Sequence, residues 1–355
     1  MLDVFMTKNS LGKFVSSIGA FAVVSVASLL PTSLFAEESG LVNVYSARKE
    51  ALIKPMLDRF SEETGITVNL VTGKADALLK RLEVEGSASP ADLFVTVDAG
   101  RLHRAKVAGV LQVAGSDKLN EVIPSSLRDA DGYWYGMSQR ARTIFYVKDK
   151  VSPEQLSTYE DLADPKWKGR ICVRSSSNIY NQSLVASMID AIGVVKTEEW
   201  AKGLVKNFAK PPSGGDTDQL KAAAAGVCDL TLANTYYFGR LLNSKDEEKQ
   251  AIASKLSAFW PNQDGRGVHM NVSGVGVTKH ARNITNAIKL MEFMASETSQ
   301  LWYAEVNNEY PAVSEVKIPE NLATMGEFKA DDIVLSKLGD NNRAAVELMD
   351  RAGWK

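Results

Sequence analysis

Histidine and cysteine are scarce in this chain, three and two among 355 residues. The histidines, His103, His269 and His280, are scattered, and the cysteines form no CxxC, so the donor sets zinc favours are missing. There is no GxSxG, no HExxH and no P-loop, and no GxGxxG follows a strand, so hydrolase, zinc peptidase and nucleotide-binding readings have no footing. Basic tracts and acidic tails are also missing. With a formal net charge of −2, nothing points to nucleic acid or to a membrane surface. No fixed-period repeat is visible, and Ala222–Ala225 is the one low-complexity patch. Carboxylate pairs such as Glu62 and Glu63 read as solvated helix faces.

What is present is a globular composition, 45% apolar and 24% charged, on a chain long enough for two domains. The N-terminus stands apart. Lys8 and Lys13 precede an uncharged apolar stretch, residues 14–30, then PTSLFA and the polar EESG. This order predicts a secretory signal peptide over residues 1–36, cut after Ala36, although Leu34 is larger than the usual residue three places before the cut. The alternative is a retained anchor, because the stretch reaches the lower end of spanning length. No cysteine stands directly after the cut, which excludes lipid attachment there. Export into an oxidising compartment makes Cys172 and Cys228 a candidate disulfide, with two buried free thiols as the other reading.

From residue 41 the chain alternates. LVNVYSA reads as a strand and RKEALIKPMLDRFSEETG as an amphipathic helix, with Leu52, Ile53, Met56, Leu57 and Phe60 at helical spacing. ITVNLVTG, ADALLKRLEVEG, SPADLFVTVDAG and RLHRAKVAGVLQ continue as strand, helix, strand and helix, the pattern of an open α/β sheet. Ligands bind such sheets beyond the carboxyl ends of strands, which draws attention to YSARKE, VTGKAD and TVDAGR. YWYGMSQRARTIFYVKD reads as one long strand crossing into a second α/β body, and LSAFWPNQDGRGVHMNVSGVGVTK returns. The expected fold is therefore α/β and two-lobed, a clamshell hinged on two extended crossings and closing around a ligand. The first lobe takes residues 37–139 with 263–313, the second 140–262 with 314–355.

The chemistry concentrates on oxygen donors. LANTYYFGR places Tyr236 and Tyr237 side by side at the presumed end of a buried strand. Tyr180 sits in RSSSNIYNQSL at a strand-to-helix switch, where Ser176, Ser177 and Asn178 suit a helix cap. Three phenolates would neutralise a trivalent hard cation, and ligand softness makes Fe(III) a better match than zinc or copper(I). A free phenol has a pKa of about 10, so the metal must displace protons, and nearby cations would help. Arg240, one turn beyond Tyr236, and Arg140 and Arg142 on the crossing strand are placed for that. The plain alternatives are core aromatics, an ordinary salt-bridge partner at Arg140 and a solvated helix residue at Arg240.

VNVYSARKEALIKPMLDRF, SPADLFVTVDAGRL, SQRARTIFYVKD, GRICVRSSSNIYNQSL, ANTYYFGRL and GRGVHMNVSGVGVTKHARN, in this order, resemble the periplasmic ferric-iron-binding proteins of ABC-type uptake systems. The resemblance is to the branch that uses several tyrosines. It covers essentially the whole mature chain and implies a periplasmic, monomeric binding protein that hands Fe(III) to an inner-membrane ABC-type permease. By resemblance, Tyr180, Tyr236 and Tyr237 are the phenolate ligands, Arg140 faces the metal or a synergistic anion, and Arg240 stands behind the tyrosine pair. The departure is Arg48-Lys49-Glu50, where many relatives carry histidine, often followed by tyrosine. Either the Glu50 carboxylate supplies the missing first-lobe ligand, or Arg48 and Arg140 hold a carbonate-like anion that does; the anion is preferred. The competing readings are capture of a small anion or polyamine, and a two-lobed fold turned to enzymology with the phenols as acids or bases.

Overall fold

The structure, a computed structural model, describes residues 40–355, so the expected signal peptide lies outside the described residues. Ten strands occur there. They are β1 (Leu41–Ser46), β2 (Thr67–Thr72), β3 (Leu93–Val97), β4 (Leu111–Gln112), β5 (Tyr135–Val147), β6 (Ile171–Cys172), β7 (Leu230–Asn234), β8 (Leu256–Phe259), β9 (Met270–Thr278) and β10 (Tyr310–Pro311). The main path runs β2-β1-β3-β9-β5-β7-β6. β1 pairs in parallel with β2 and β3, and β9 closes that half antiparallel to β3.

β5 is the shared element. Tyr135–Ala141 pairs with β9, whereas Arg142–Tyr146 pairs with β7 and Ile144–Val147 with β8, all antiparallel. The expected long crossing strand is thus present, and it changes partners between Ala141 and Arg142. Both of its faces are buried over most of its length, which matches its near-continuous apolar and aromatic composition. The C-terminal stretch lies against the second half. Trp354 packs edge-on at 6.3 Å from Trp200 and donates to the Arg174 carbonyl, and Asn342 reaches Gln182.

Two element boundaries differ from expectation for identifiable reasons. The first helix begins at Lys54, after a 3₁₀ turn at Glu50–Leu52, because Pro55 is tolerated only in a first turn. Met56, Leu57 and Phe60 remain its buried face, and Gly65 ends it at φ 72°. The helix expected through RLHRAKVAGVLQ stops at Val107, and Leu111–Gln112 becomes a short strand on β9. Gly109, at φ 68°, makes the turn between them.

Cys172 and Cys228 are joined as a disulfide across 56 residues of sequence, with no free cysteine among the described residues. Cys172 lies on β6 and Cys228 just before β7, so the bond ties together the segments that lead to Tyr180 and to the tyrosine pair. Denatured, unreduced protein should therefore show no titratable thiol. Reduction should lower stability by about 2–4 kcal/mol in chemical denaturation.

Candidate metal site

The three tyrosines come from two helix starts in the second half of the fold. Asn178 caps the helix Ile179–Ile192, its Oδ1 accepting from the Tyr180 amide at 3.1 Å, and so sets the first turn that carries Tyr180. β7 runs directly into the helix Thr235–Leu242, so Tyr236 and Tyr237 open a helix rather than end a strand. Their rings lie 4.3 Å apart and tilted by 37°. The Tyr236 hydroxyl accepts from Asn234 Nδ2 at 3.4 Å. Tyr236 is buried; Tyr180 and Tyr237 are half-buried.

Electrostatics show that the phenols share one locus. Burial, and then the neighbouring Tyr237 oxygen, push the Tyr180 phenol up to about 12, while Arg140 and a hydrogen bond with Tyr236 pull it back. Tyr236 is raised well above the ordinary phenol range, again by burial first and then by Tyr180 and Tyr237, with Arg140 opposing. Without metal these two hydroxyls are therefore protonated at neutral pH. Guanidinium groups surround the rings: Arg140 lies 5.5 Å and Arg240 5.0 Å from the centre of Tyr236, and Arg174 lies 5.7 Å from that of Tyr180. Such cations favour phenolate over phenol once a metal competes for the oxygen.

Asp216 organises the base of this cluster, and sequence reading missed it. Fully buried, it accepts from Arg142 Nη1 at 3.1 Å, from Arg174 Nη1 at 3.4 Å and from the Asn234 amide at 2.9 Å. Arg142 also donates to Asn181 at 2.6 Å and to Asn234 at 3.1 Å. Arg142 is thus a tie between the two tyrosine-bearing helix starts, and its charge is already partnered. Arg174 was missed as well, although it stands in the RSSSNIY segment; the available signal was a cation directly after β6 at the strand-to-helix switch.

The surroundings of Arg48 and Glu50 differ from expectation. Arg48 is buried and bound to a carboxylate of the chain itself, with Nη1 at 3.0 Å and Nη2 at 3.1 Å from Glu309 and Nη1 also at 2.7 Å from Ser273. Its fork is filled, so it is not available to hold an external anion in this geometry. Arg140 shares Glu309 at 3.3 Å and bonds Ser273, but its Nε and Nη1 have no partner. Burial alone would raise the Glu309 carboxyl, but the Arg48 and Arg140 charges, with hydrogen bonds from Arg48 and Ser138, hold it down at about 2. Glu50 is exposed and lines a shallow surface cleft with Lys54, Asp58 and Asn69. It opens the 3₁₀ turn, where a helix-start carboxylate is favoured anyway, and the structure does not bring it to the tyrosines. Among the described residues no three histidine, cysteine, aspartate or glutamate side chains converge as metal donors. The hard donors gathered in one place are the phenols.

A strand shared between two α/β halves, with convergent polar groups from opposite sides of the crossing, defines a two-lobed solute-binding protein. The chain belongs to the bacterial extracellular solute-binding protein family, whose profile matches residues 45–301. It is 50% identical over 349 residues to iron uptake protein A1 of Synechocystis sp., covering 96% of this chain and 97% of that one. It is 28% identical to the major ferric iron-binding protein of Neisseria gonorrhoeae, over 92% of this chain and 98% of that one. Among solved structures it resembles the Trichodesmium protein described as IdiA or FutA in complex with iron and citrate, with a TM-score of 0.86 and 52% identity over 89% of this chain and 100% of that one. It also resembles ferric iron-binding protein A of Mannheimia haemolytica in an open conformation, with a TM-score of 0.81 and 40% identity over 89% of this chain and 99% of that one.

Proposed function

We propose that this chain is a periplasmic binding protein that captures Fe(III) between its lobes through Tyr180, Tyr236 and Tyr237. It then delivers the ion to an ABC-type permease in the inner membrane, a transport role and not a catalytic one. The observation that carries this reading is the convergence of three phenols inside a ring of guanidinium groups. Three phenolates match the charge and hardness of Fe(III). The relatives named above, described as iron uptake or ferric iron-binding proteins, support the same cargo.

In this reading the lobes are residues 37–139 with 263–313 and residues 140–262 with 314–355, and the protein works as a monomer after loss of residues 1–36. Three phenolates leave about half of an octahedral iron open. We assign the remainder to an oxyanion such as carbonate or to water. Arg140, with two unpartnered nitrogens, and Arg240, stacked over the tyrosine pair, are the cations such an anion would meet. In this reading Arg48, whose fork is filled by Glu309, and the exposed Glu50 are left out of the ligand set.

A second reading, capture of a small anion alone, draws on the same excess of arginine, which also disfavours a polyamine. Titrating purified protein with Fe(III) separates the readings. Phenolate-to-iron charge transfer should turn the solution yellow to red, and zinc should compete poorly, since it prefers thiolate and imidazole. Protein that stays colourless, yet binds carbonate or citrate without iron, would overturn the ferric reading in favour of the anion.

A further inference from the structure

One buried carboxylate makes no hydrogen bond to the phenols or to the arginines around them, although the Arg140 charge acts on it. Asp98 ends β3, in the phrase TVDAGR, and is fully buried. Its backbone stands at φ 84° and ψ 122°, a conformation that residues with a side chain rarely adopt. Groups of its own half hold it there. Its amide donates to the Val272 carbonyl, its Oδ1 accepts from the Gly100 amide at 2.8 Å, and its Oδ2 accepts from Asn271 Nδ2 at 2.9 Å. The remaining partner belongs to the other half of the fold. Ser183 Oγ, also fully buried, lies 2.8 Å from Oδ1 and 2.7 Å from Oδ2.

Ser183 sits on the helix Ile179–Ile192, three residues after Tyr180. Residues three apart share a helix face, so the turn that presents the phenol also presents this hydroxyl. We infer that Asp98 and Ser183 form an interlobe latch: closure seats the Ser183 hydroxyl on the Asp98 carboxylate, and this positions the Tyr180 turn over the metal. The inference rests on the reading of the phenol cluster as the iron site. Two features suit a latch. The first half fixes the carboxylate before the serine arrives, through Gly100 and Asn271, so little ordering remains for closure to impose. The contact itself is a hydroxyl on a carboxylate, which water can replace when the lobes part. His103, on the helix that Asp98 caps, also reaches Asp340 of the helix Lys337–Asp340 at 3.0 Å, but that carboxylate is exposed.

Iron release tests this. Iron-loaded protein is mixed with excess EDTA and the decay of the visible band is followed, for wild type, Ser183→Ala, Asp98→Asn and the double variant. Asparagine tolerates positive φ and caps helices, so Asp98→Asn keeps the local backbone. A latch predicts release about 10-fold faster or more in Ser183→Ala, the scale of a lost hydrogen bond to a charged group. The capture rate and the melting temperature of the apo protein should stay at wild-type values. The double variant should release no faster than the faster single variant, because both changes remove the same contact. Wild-type release in Ser183→Ala, or effects that multiply in the double variant, would overturn the latch; should Asp98→Asn fail to fold, the Ser183→Ala rate decides alone. A wild-type protein that shows no band with Fe(III) would instead overturn the metal reading beneath it.

Discussion

Tyr237→Phe is expected to remove most of the visible band with Fe(III) and to weaken binding by about 10²–10³-fold. That range follows if about 10–16 kcal/mol of metal affinity is shared among about four donors, the three phenolates and the oxyanion. The ring stays, so its packing against Tyr236 at 4.3 Å stays, and the fold should be unchanged. What is lost is one anionic oxygen in a locus crowded by Arg140, Arg174 and Arg240. The site becomes one charge more positive when loaded, so the variant should fail through affinity and not through stability. A titration monitored by absorbance, with circular dichroism on the same samples, separates the two. A variant that colours fully and binds as tightly as wild type would show that Tyr237 is not a ligand.

The clustering of the three tyrosines was legible because its signals are local. A cap-forming SSSN before Tyr180, and two tyrosines after an apolar strand, are each contained in about ten residues. Even there the reading mistook the element, since the strand ends at Asn234 and the tyrosines belong to the helix that follows. The long crossing strand was legible from its unbroken apolar and aromatic run. The partner of Arg48 was not. Glu309 lies 261 residues away, in a short link between the helix Glu297–Asn307 and β10, and no pattern around it marks a buried anion. Sequence alone left Arg48 looking like a free guanidinium beside a cleft. The fold supplies its carboxylate from the far end of the chain. Glu50 illustrates the opposite case: resemblance places it beside the first strand, and in the structure it opens the 3₁₀ turn with its side chain exposed. Asp98 lay in a phrase singled out as a strand end, yet only the fold brings Ser183 to it.

The Arg48–Glu309–Arg140 group yields the last expectation, on stability and its dependence on acid. Among the described residues, Glu309 is the only carboxylate paired with either arginine, and all three side chains are buried. Removing one partner of a buried ion pair leaves uncompensated charge, at a cost of about 3–5 kcal/mol. Glu309→Gln keeps the shape and removes only the charge, so the apo variant should be less stable than wild type by about that amount at neutral pH. The two arginines lower the Glu309 carboxyl from its ordinary 4.5 to about 2. A depressed carboxyl stabilises the folded state fully above its unfolded value, and the contribution disappears as pH falls toward the folded value. Linkage over that interval is worth about 3 kcal/mol, in line with the ion-pair figure. Denaturation of metal-free wild type and Glu309→Gln should therefore give a constant gap from pH 7 to about 5, narrowing steadily as pH is lowered toward 2, where wild-type Glu309 itself becomes neutral. A gap that holds its neutral-pH size down to pH 3 would mean that the buried charge is not on Glu309, and that Arg48 and Arg140 are compensated in some other way.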